Sequence, residues 1–221
     1  MYKPVDDRRV MSIECACGKL SARRTSLLWP FLESYASLRG ELLHKSFDNF
    51  KLRSGLPGLA QALEASKKFS NQPKGWLFVS GRPGIGKSHL AAAIANQMIQ
   101  KRKLVLFLNV PELLSFLRAG FGDRHNGAPD FEKRLQTIRE FPTLILDDWG
   151  AHSDTPWADE QLYLILNYRT EYVLPTVITT NLPLQELEPR IRSRLLNRRI
   201  GQIIRISAPE EADYRSFENA P

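Results

Sequence analysis

The sequence predicts an α/β chain built on a five-stranded parallel sheet with helices on both faces, and three observations carry that expectation. Short apolar runs alternate with longer amphipathic segments from Trp76 onward, the pattern of strands joined by helical crossovers. The runs are near-continuous in apolar residues, as strands buried on both faces must be. A glycine-rich octapeptide separates the first run from the first amphipathic segment. In such sheets ligands sit beyond the carboxyl ends of the strands, so the residues of interest should cluster there.

The strands are expected at Trp76 to Ser80, Leu104 to Asn109, Thr143 to Asp147, Thr176 to Thr180 and Gln202 to Ile206. Helices are expected between them, at Lys87 to Arg102, Pro111 to Arg118, Asp130 to Glu140, Trp157 to Tyr172 and Leu184 to Asn197. A compact domain spanning 46–216 is expected, preceded by an extension, 1–45, and followed by a tail, 217–221. In the extension, Arg23 and Arg24 precede an apolar stretch from Leu27 to Leu38 that Pro30 breaks. It reads either as a partner-binding helix or as a helix packed on the main domain.

Composition sets the outer limits. A chain of 221 residues, 43% hydrophobic and 25% charged, is ordinary for one globular α/β domain with a short extension. No apolar run approaches the roughly 20 residues of a spanning helix, and no apolar signal core follows the charged first ten residues. A cytoplasmic protein with no membrane partner is expected. Cys15 and Cys17 are too close for an ordinary disulfide. With His44 they resemble a fragment of a zinc site, although structural zinc takes four ligands. The net charge of +7 favours a polyanionic partner.

The octapeptide Gly81-Arg-Pro-Gly-Ile-Gly86-Lys87-Ser88 fits the P-loop pattern G-x-x-x-x-G-K-[ST], in the strand-to-helix context that pattern requires. Glycines let the backbone curl so that successive N–H groups face phosphate oxygens, and the following helix adds the positive end of its dipole. Gly81, Gly84, Ile85, Gly86, Lys87, Ser88 and His89 are the candidate nucleotide-binding residues. Lys87 would meet the β and γ phosphates of ATP, and the Ser88 hydroxyl would ligate Mg²⁺.

Further along, the apolar run Leu144-Ile-Leu ends in Asp147 and Asp148. A carboxylate there serves the Mg²⁺ shell, a role assigned to Asp147, while Asp148 stands where a general base or water-orienting group is useful. Aspartate is shorter than the glutamate common at that position, which implies slow, switch-like hydrolysis. Asn181, after Thr176-Val-Ile-Thr-Thr180, reads either as a sensor of the γ phosphate or as a helix-capping residue. Arg190, Arg192 and Arg194 read either as a basic face or as the source of an arginine that neutralises transition-state charge. Between the second and third strands, Arg118, Arg124, His125, Lys133 and Arg134 surround a glycine-containing loop with Phe121. This group suits single-stranded DNA or is an ordinary solvated surface.

The order of motifs resembles a known family. Ser46-Phe-Asp-Asn-Phe50, Gly81 to Leu90, Leu146-Asp-Asp-Trp-Gly150, Leu166-Asn-Tyr-Arg169, Pro175 to Asn181, Ser193-Arg194-Leu195 and Asp213-Tyr-Arg215 are similar to those of AAA+ ATPases of the DnaC-type helicase-loader and IstB-like group. The resemblance implies a P-loop NTPase core of three layers without a helical lid, with Asn181 as sensor one and Arg194 as an arginine finger acting through self-association. It further implies ATP hydrolysis coupled to a replicative helicase and single-stranded DNA, or, in the alternative, to transposition on duplex DNA. A small-molecule kinase fits the tandem carboxylates, Asn181 and Arg194 less well.

Overall fold

In the computed structural model, which describes residues 38–121, 130–151, 155–196 and 201–208, the five apolar runs pair into one sheet. The strands are β1 (Trp76–Gly81), β2 (Leu106–Asn109), β3 (Leu144–Trp149), β4 (Thr176–Thr180) and β5 (Gly201–Ile206), in the order β2-β3-β4-β1-β5. Every pairing is parallel. The expectation of a five-stranded parallel sheet is therefore met.

Period-two alternation explains why both faces are apolar. Leu77, Val79, Phe107, Ile145, Val177 and Ile204 point to one side, where they pack on α1 (Leu59–Asn71) and α2 (Lys87–Gln100). Trp76, Phe78, Leu106, Leu108, Leu144, Leu146 and Ile178 point to the other. There they meet α3 (Val110–Ala119), α4 (Phe131–Glu140), α5 (Pro156–Glu171) and α6 (Pro189–Leu195). Local chemistry starts several of these helices. Asp130 and Thr155 cap α4 and α5 by accepting from the backbone N–H of Lys133 and Ala158, and Pro156 and Pro189 fill first-turn positions that need no donor.

Beyond shifts of a residue or two at element ends, the structure differs from expectation in three places. The segment expected as a helix from Leu184 to Asn197 is instead a 3-10 turn, Leu184–Glu186, then α6 from Pro189. Proline lacks the N–H and disfavours helical backbone at Glu188, whose side chain caps α6 instead by accepting from Ile191 N–H. Strand β2 begins at Leu106 rather than Leu104, because the chain leaves α2 through a turn at Lys101 to Lys103. Helix α1 has no counterpart among the expected elements. Its inner face is Leu59, Ala62, Leu63, Ala65, Ser66, Phe69 and Ser70, and more than half of that stripe is small or polar.

Ahead of α1, a strap crosses α2. The 3-10 turn Gly40–His44 is held by Asn96, whose Nδ2 donates to the carbonyls of Leu42 and Lys45, each at 2.8 Å. Asn49 then closes the Ser46-to-Phe50 motif, exchanging hydrogen bonds with Ser46 and donating to His44 O.

The arginine of the Leu166-to-Arg169 motif is a structural clamp. Arg169 is fully buried, and its guanidinium donates to Thr176 Oγ1 and to the carbonyls of Arg139, Phe141 and Pro175. Burial pushes its pKa down to about 9, so the group is charged at neutral pH and relies on those oxygens to offset desolvation. It ties the end of α4 and the entry of β4 together. Arg169→Met strands buried carbonyls and is expected to lower unfolding free energy by about 3 kcal/mol, read from urea denaturation.

Candidate functional site

A cleft of about 660 Å³ opens at the carboxyl ends of β1, β3 and β4, lined by the P-loop, Asp148, Asn181 and the strap residues Leu42, Lys45, Asn49 and Phe50. Glycine makes the loop possible. Gly86, with φ of 96°, stands at the head of α2 in the left-handed region and puts no capping side chain over the first helical N–H groups. A Cβ on Gly81 would lie 2.6 Å from Ile206 O, so the loop can run this close to β5 only without a side chain. Ile85 is fully buried beneath the loop. Of that residue, only the backbone is suited to a ligand.

Lys87 is 5% exposed. Its ammonium donates to Gly81 O at 2.8 Å, Arg82 O at 2.7 Å and Asn181 Oδ1 at 2.6 Å. Two carbonyls curl the loop around the charge, and the third contact joins it to the end of β4. His89, by contrast, faces the strap: its Nε2 is 2.9 Å from Ser46 O, and the Phe50 ring meets its imidazole edge-on at 5.1 Å.

Asp147 and Asp148 part company at the end of β3, where the pairing with β4 shifts register between Leu146 and Trp149. Asp148 takes φ of 55°, a left-handed conformation that aspartate tolerates better than glutamate. The bulge turns Asp147 inward and Asp148 toward the cleft. Thr179 bridges the two: its hydroxyl accepts from Asp148 N–H at 3.2 Å and donates to Asp147 Oδ1. Asn109, at the end of β2, donates Nδ2 to Asp148 Oδ2 at 3.3 Å. Sequence reasoning gave neither Thr179 nor Asn109 a role. The signal was position, since both lie at carboxyl ends of buried strands.

Burial is the main force raising the Asp147 pKa, with the neighbouring Asp148 charge in the same direction. Hydrogen bonds from Thr179 and Ser88, and the Lys87 charge, pull it back. Ser88 and Asp147 therefore already meet, and their hard oxygen donors in a site that strains to hold a carboxylate charge fit Mg²⁺.

Other candidates fare differently. Arg194 is half-buried on α6 and does not line the cleft. Arg134 is expected at the surface, either on DNA or simply solvated, but it is 2% exposed, donates to Phe116 O at 2.8 Å and lies over the Phe116 ring. It belongs to the packing of α3 on α4. Arg118 lies 4.8 Å over Trp157, and exposed Phe121 stacks on Phe131 at 4.6 Å. Arg124, His125, Cys15, Cys17 and the Asp213-to-Arg215 motif fall outside the described residues. Among the described residues no helix is long and apolar enough to cross a membrane.

Two outcomes follow from the carboxylate pair. Thr179→Val removes the bridging hydroxyl and is expected to weaken Mg²⁺-dependent nucleotide binding about tenfold or more, seen in a metal titration. Asp147→Asn tests the pKa. A raised folded-state pKa means that this group's stability contribution is complete below the ordinary carboxylate pKa and is lost as pH rises through the raised value. Without nucleotide, Asp147→Asn should therefore melt above the wild type near about pH 8, and the gap should close toward about pH 4.

Comparison with known proteins agrees with this geometry. A family model described as IstB-like ATP binding protein matches residues 36–200. The replicative helicase loader DnaC of Escherichia coli (strain K12) is 28% identical over 159 residues, 71% of this chain and 63% of the loader. The replicative helicase loader DnaI of Bacillus subtilis (strain 168) is 33% identical over 124 residues, 55% of this chain and 38% of that protein. The chain thus spans less than two thirds of the curated relatives it matches here. The crystal structure of DnaI superposes with a TM-score of 0.63 at 28% identity, covering 75% of this chain and 93% of that one. The initiator DnaA bound to AMPPCP and single-stranded DNA shares the fold, with a TM-score of 0.64 at 17% identity over 75% of this chain and 50% of that one. A P-loop cleft of this form, a five-stranded AAA+ sheet and a family match over most of the sequence make the chain a member of the IstB-like ATP-binding protein family.

Proposed function

We propose that the chain is an ATP-hydrolysing switch of DNA replication that loads or remodels a replicative helicase on single-stranded DNA. The observation that carries this reading is the 2.6 Å link from Lys87 to Asn181, which joins the phosphate loop to a strand end beside the Asp147–Asp148 pair. The helicase-loader names of its Escherichia coli and Bacillus subtilis relatives supply the process. A cytoplasmic location suits such a role.

In this reading the backbone N–H groups from Gly84 to Ser88 receive the phosphates of ATP, and Lys87 exchanges its carbonyl partners for the β and γ oxygens. Ser88 and Asp147 hold Mg²⁺, which when bound neutralises charge on the phosphates. Asp148 orients the attacking water and accepts its proton. Asn181, freed from Lys87, turns its amide to the γ phosphate and so reports the nucleotide state. The short Asp148 side chain, fixed on a bulge, supports slow turnover. Arg194 lies outside its own cleft, which suits an arginine finger that reaches a neighbouring copy and makes hydrolysis wait on assembly. Arg118, Phe121 and Lys133 offer cations and an exposed ring for single-stranded DNA.

The deciding measurement is the ATPase rate with single-stranded DNA, duplex DNA or a replicative helicase, read beside oligomeric state. Stimulation by single strands, or a stable complex with the helicase, supports the loader. The other reading is an IstB-like regulator of transposition, and a duplex-specific, ATP-dependent filament would replace the loader with it. Lys87→Ala is expected to abolish nucleotide binding. Arg194→Ala should bind ATP normally yet lose about a thousandfold of stimulated hydrolysis, and full stimulated turnover in that variant would remove the finger role.

A further inference from the structure

At the far end of the sheet from the ATP cleft lies a concentration of positive charge that nothing in the nucleotide site uses. Helices α1 and α2 both run toward the amino ends of the strands. Their last turns, with the loops into β1 and β2, carry Lys67, Lys68, Lys74, Lys101, Arg102 and Lys103. The two segments involved, 59–75 and 96–105, contain six cations and one carboxylate, Glu64, which sits 3.3 Å from Lys67. Among the described residues, Glu140 and Glu171 at this end close α4 and α5 on the opposite face and accept from the amides of Gln136 and Asn167.

The fold gathers these charges instead of dispersing them. Lys101 and Lys103 both donate to Asn71, one to its side chain and one to its backbone carbonyl, so two ammonium groups share one neutral residue. Arg102 is the second observation. Helix α2 ends with the N–H of Lys103 on Met98 O and that of Arg102 on Ile99 O, and Arg102 has φ of 55°. This is the left-handed position after a helix where glycine is least strained. An exposed arginine there accepts backbone strain and adds to local repulsion, and contributes nothing to the core in return.

We propose that this surface binds the phosphate backbone of duplex nucleic acid without reading sequence, independently of ATP. Flexible lysines act as point charges suited to phosphates, and their contacts release counterions. Phe69 in these segments and Trp76 next to them are buried, so the two segments offer no platform on which unpaired bases could stack. It lies about 20 Å from the cleft, the length of a six-residue strand. A strand of DNA engaged near Phe121 and a duplex engaged here would be held by separate parts of the molecule.

The test uses the full chain without nucleotide and a labelled duplex of about 20 base pairs, followed by anisotropy across a salt series. Lys68→Gln/Lys74→Gln/Arg102→Gly removes three exposed cations and relieves the strained turn. Affinity is expected to fall at least about tenfold, and the slope of log affinity against log salt to shrink by about 2–3. ATP binding should be unchanged. A Lys68→Arg/Lys74→Arg/Lys101→Arg variant keeps the charge and should keep affinity and slope. Unchanged duplex affinity and slope in the first variant would overturn the proposal. So would loss of poly-glutamate binding with duplex binding intact, which would assign the patch to an acidic protein surface.

Discussion

The Lys87 ammonium is the constraint on which the cleft is built. A buried cation must find oxygen, and this one finds it on three sides: two loop carbonyls that set the curl of the P-loop and one side-chain amide just past the end of β4. The sheet order places β4 between β1 and β3, so a contact from the β1 loop to Asn181 spans the centre of the molecule. With it come the bulge of β3 and the Thr179 hydroxyl that sorts the two aspartates. Ligand chemistry and sheet topology are thus one problem, solved at the carboxyl edge.

Much of this was legible in the sequence, for identifiable reasons. The P-loop encodes its conformation in glycine spacing, and its charge and hydroxyl follow immediately, so a local reading was enough. Asp147 and Asn181 stood out as polar residues ending apolar strands. What escaped was non-local or disguised. Lys87 and Asn181 are 94 positions apart in sequence, and no local pattern pairs them. Thr179 looks like an ordinary β-branched strand residue until β3 bulges beside it. Arg134 reads as a surface cation because charge predicts exposure, yet α3 and α4 close over its aliphatic stem and give its guanidinium a carbonyl. Helix α1 was missed because alanine and serine fill much of its inner face, where close packing on α2 leaves little room for larger residues.

The division of labour between the faces follows from this arrangement. The α1–α2 face carries the phosphate loop at one end and the lysine-rich turns at the other, and α2 connects them directly. The opposite face, with α3 to α6, carries the Arg118–Trp157–Phe121 surface and Arg194. The cleft and the sites proposed for single-stranded DNA and for a neighbouring copy thus fall on different parts of one sheet.

The strap gives the same helix a second attachment. Ser88 and His89 are consecutive, but one faces Asp147 and the other holds the carbonyl of Ser46. A shift in the first turn of α2 cannot leave the strap in place without breaking that contact, and Asn96, two turns further on, moves with it. The helix is thus tied both to Asp147 and, through His89 and Asn96, to three carbonyls of the strap, so the phosphate loop and the strap share one rigid support.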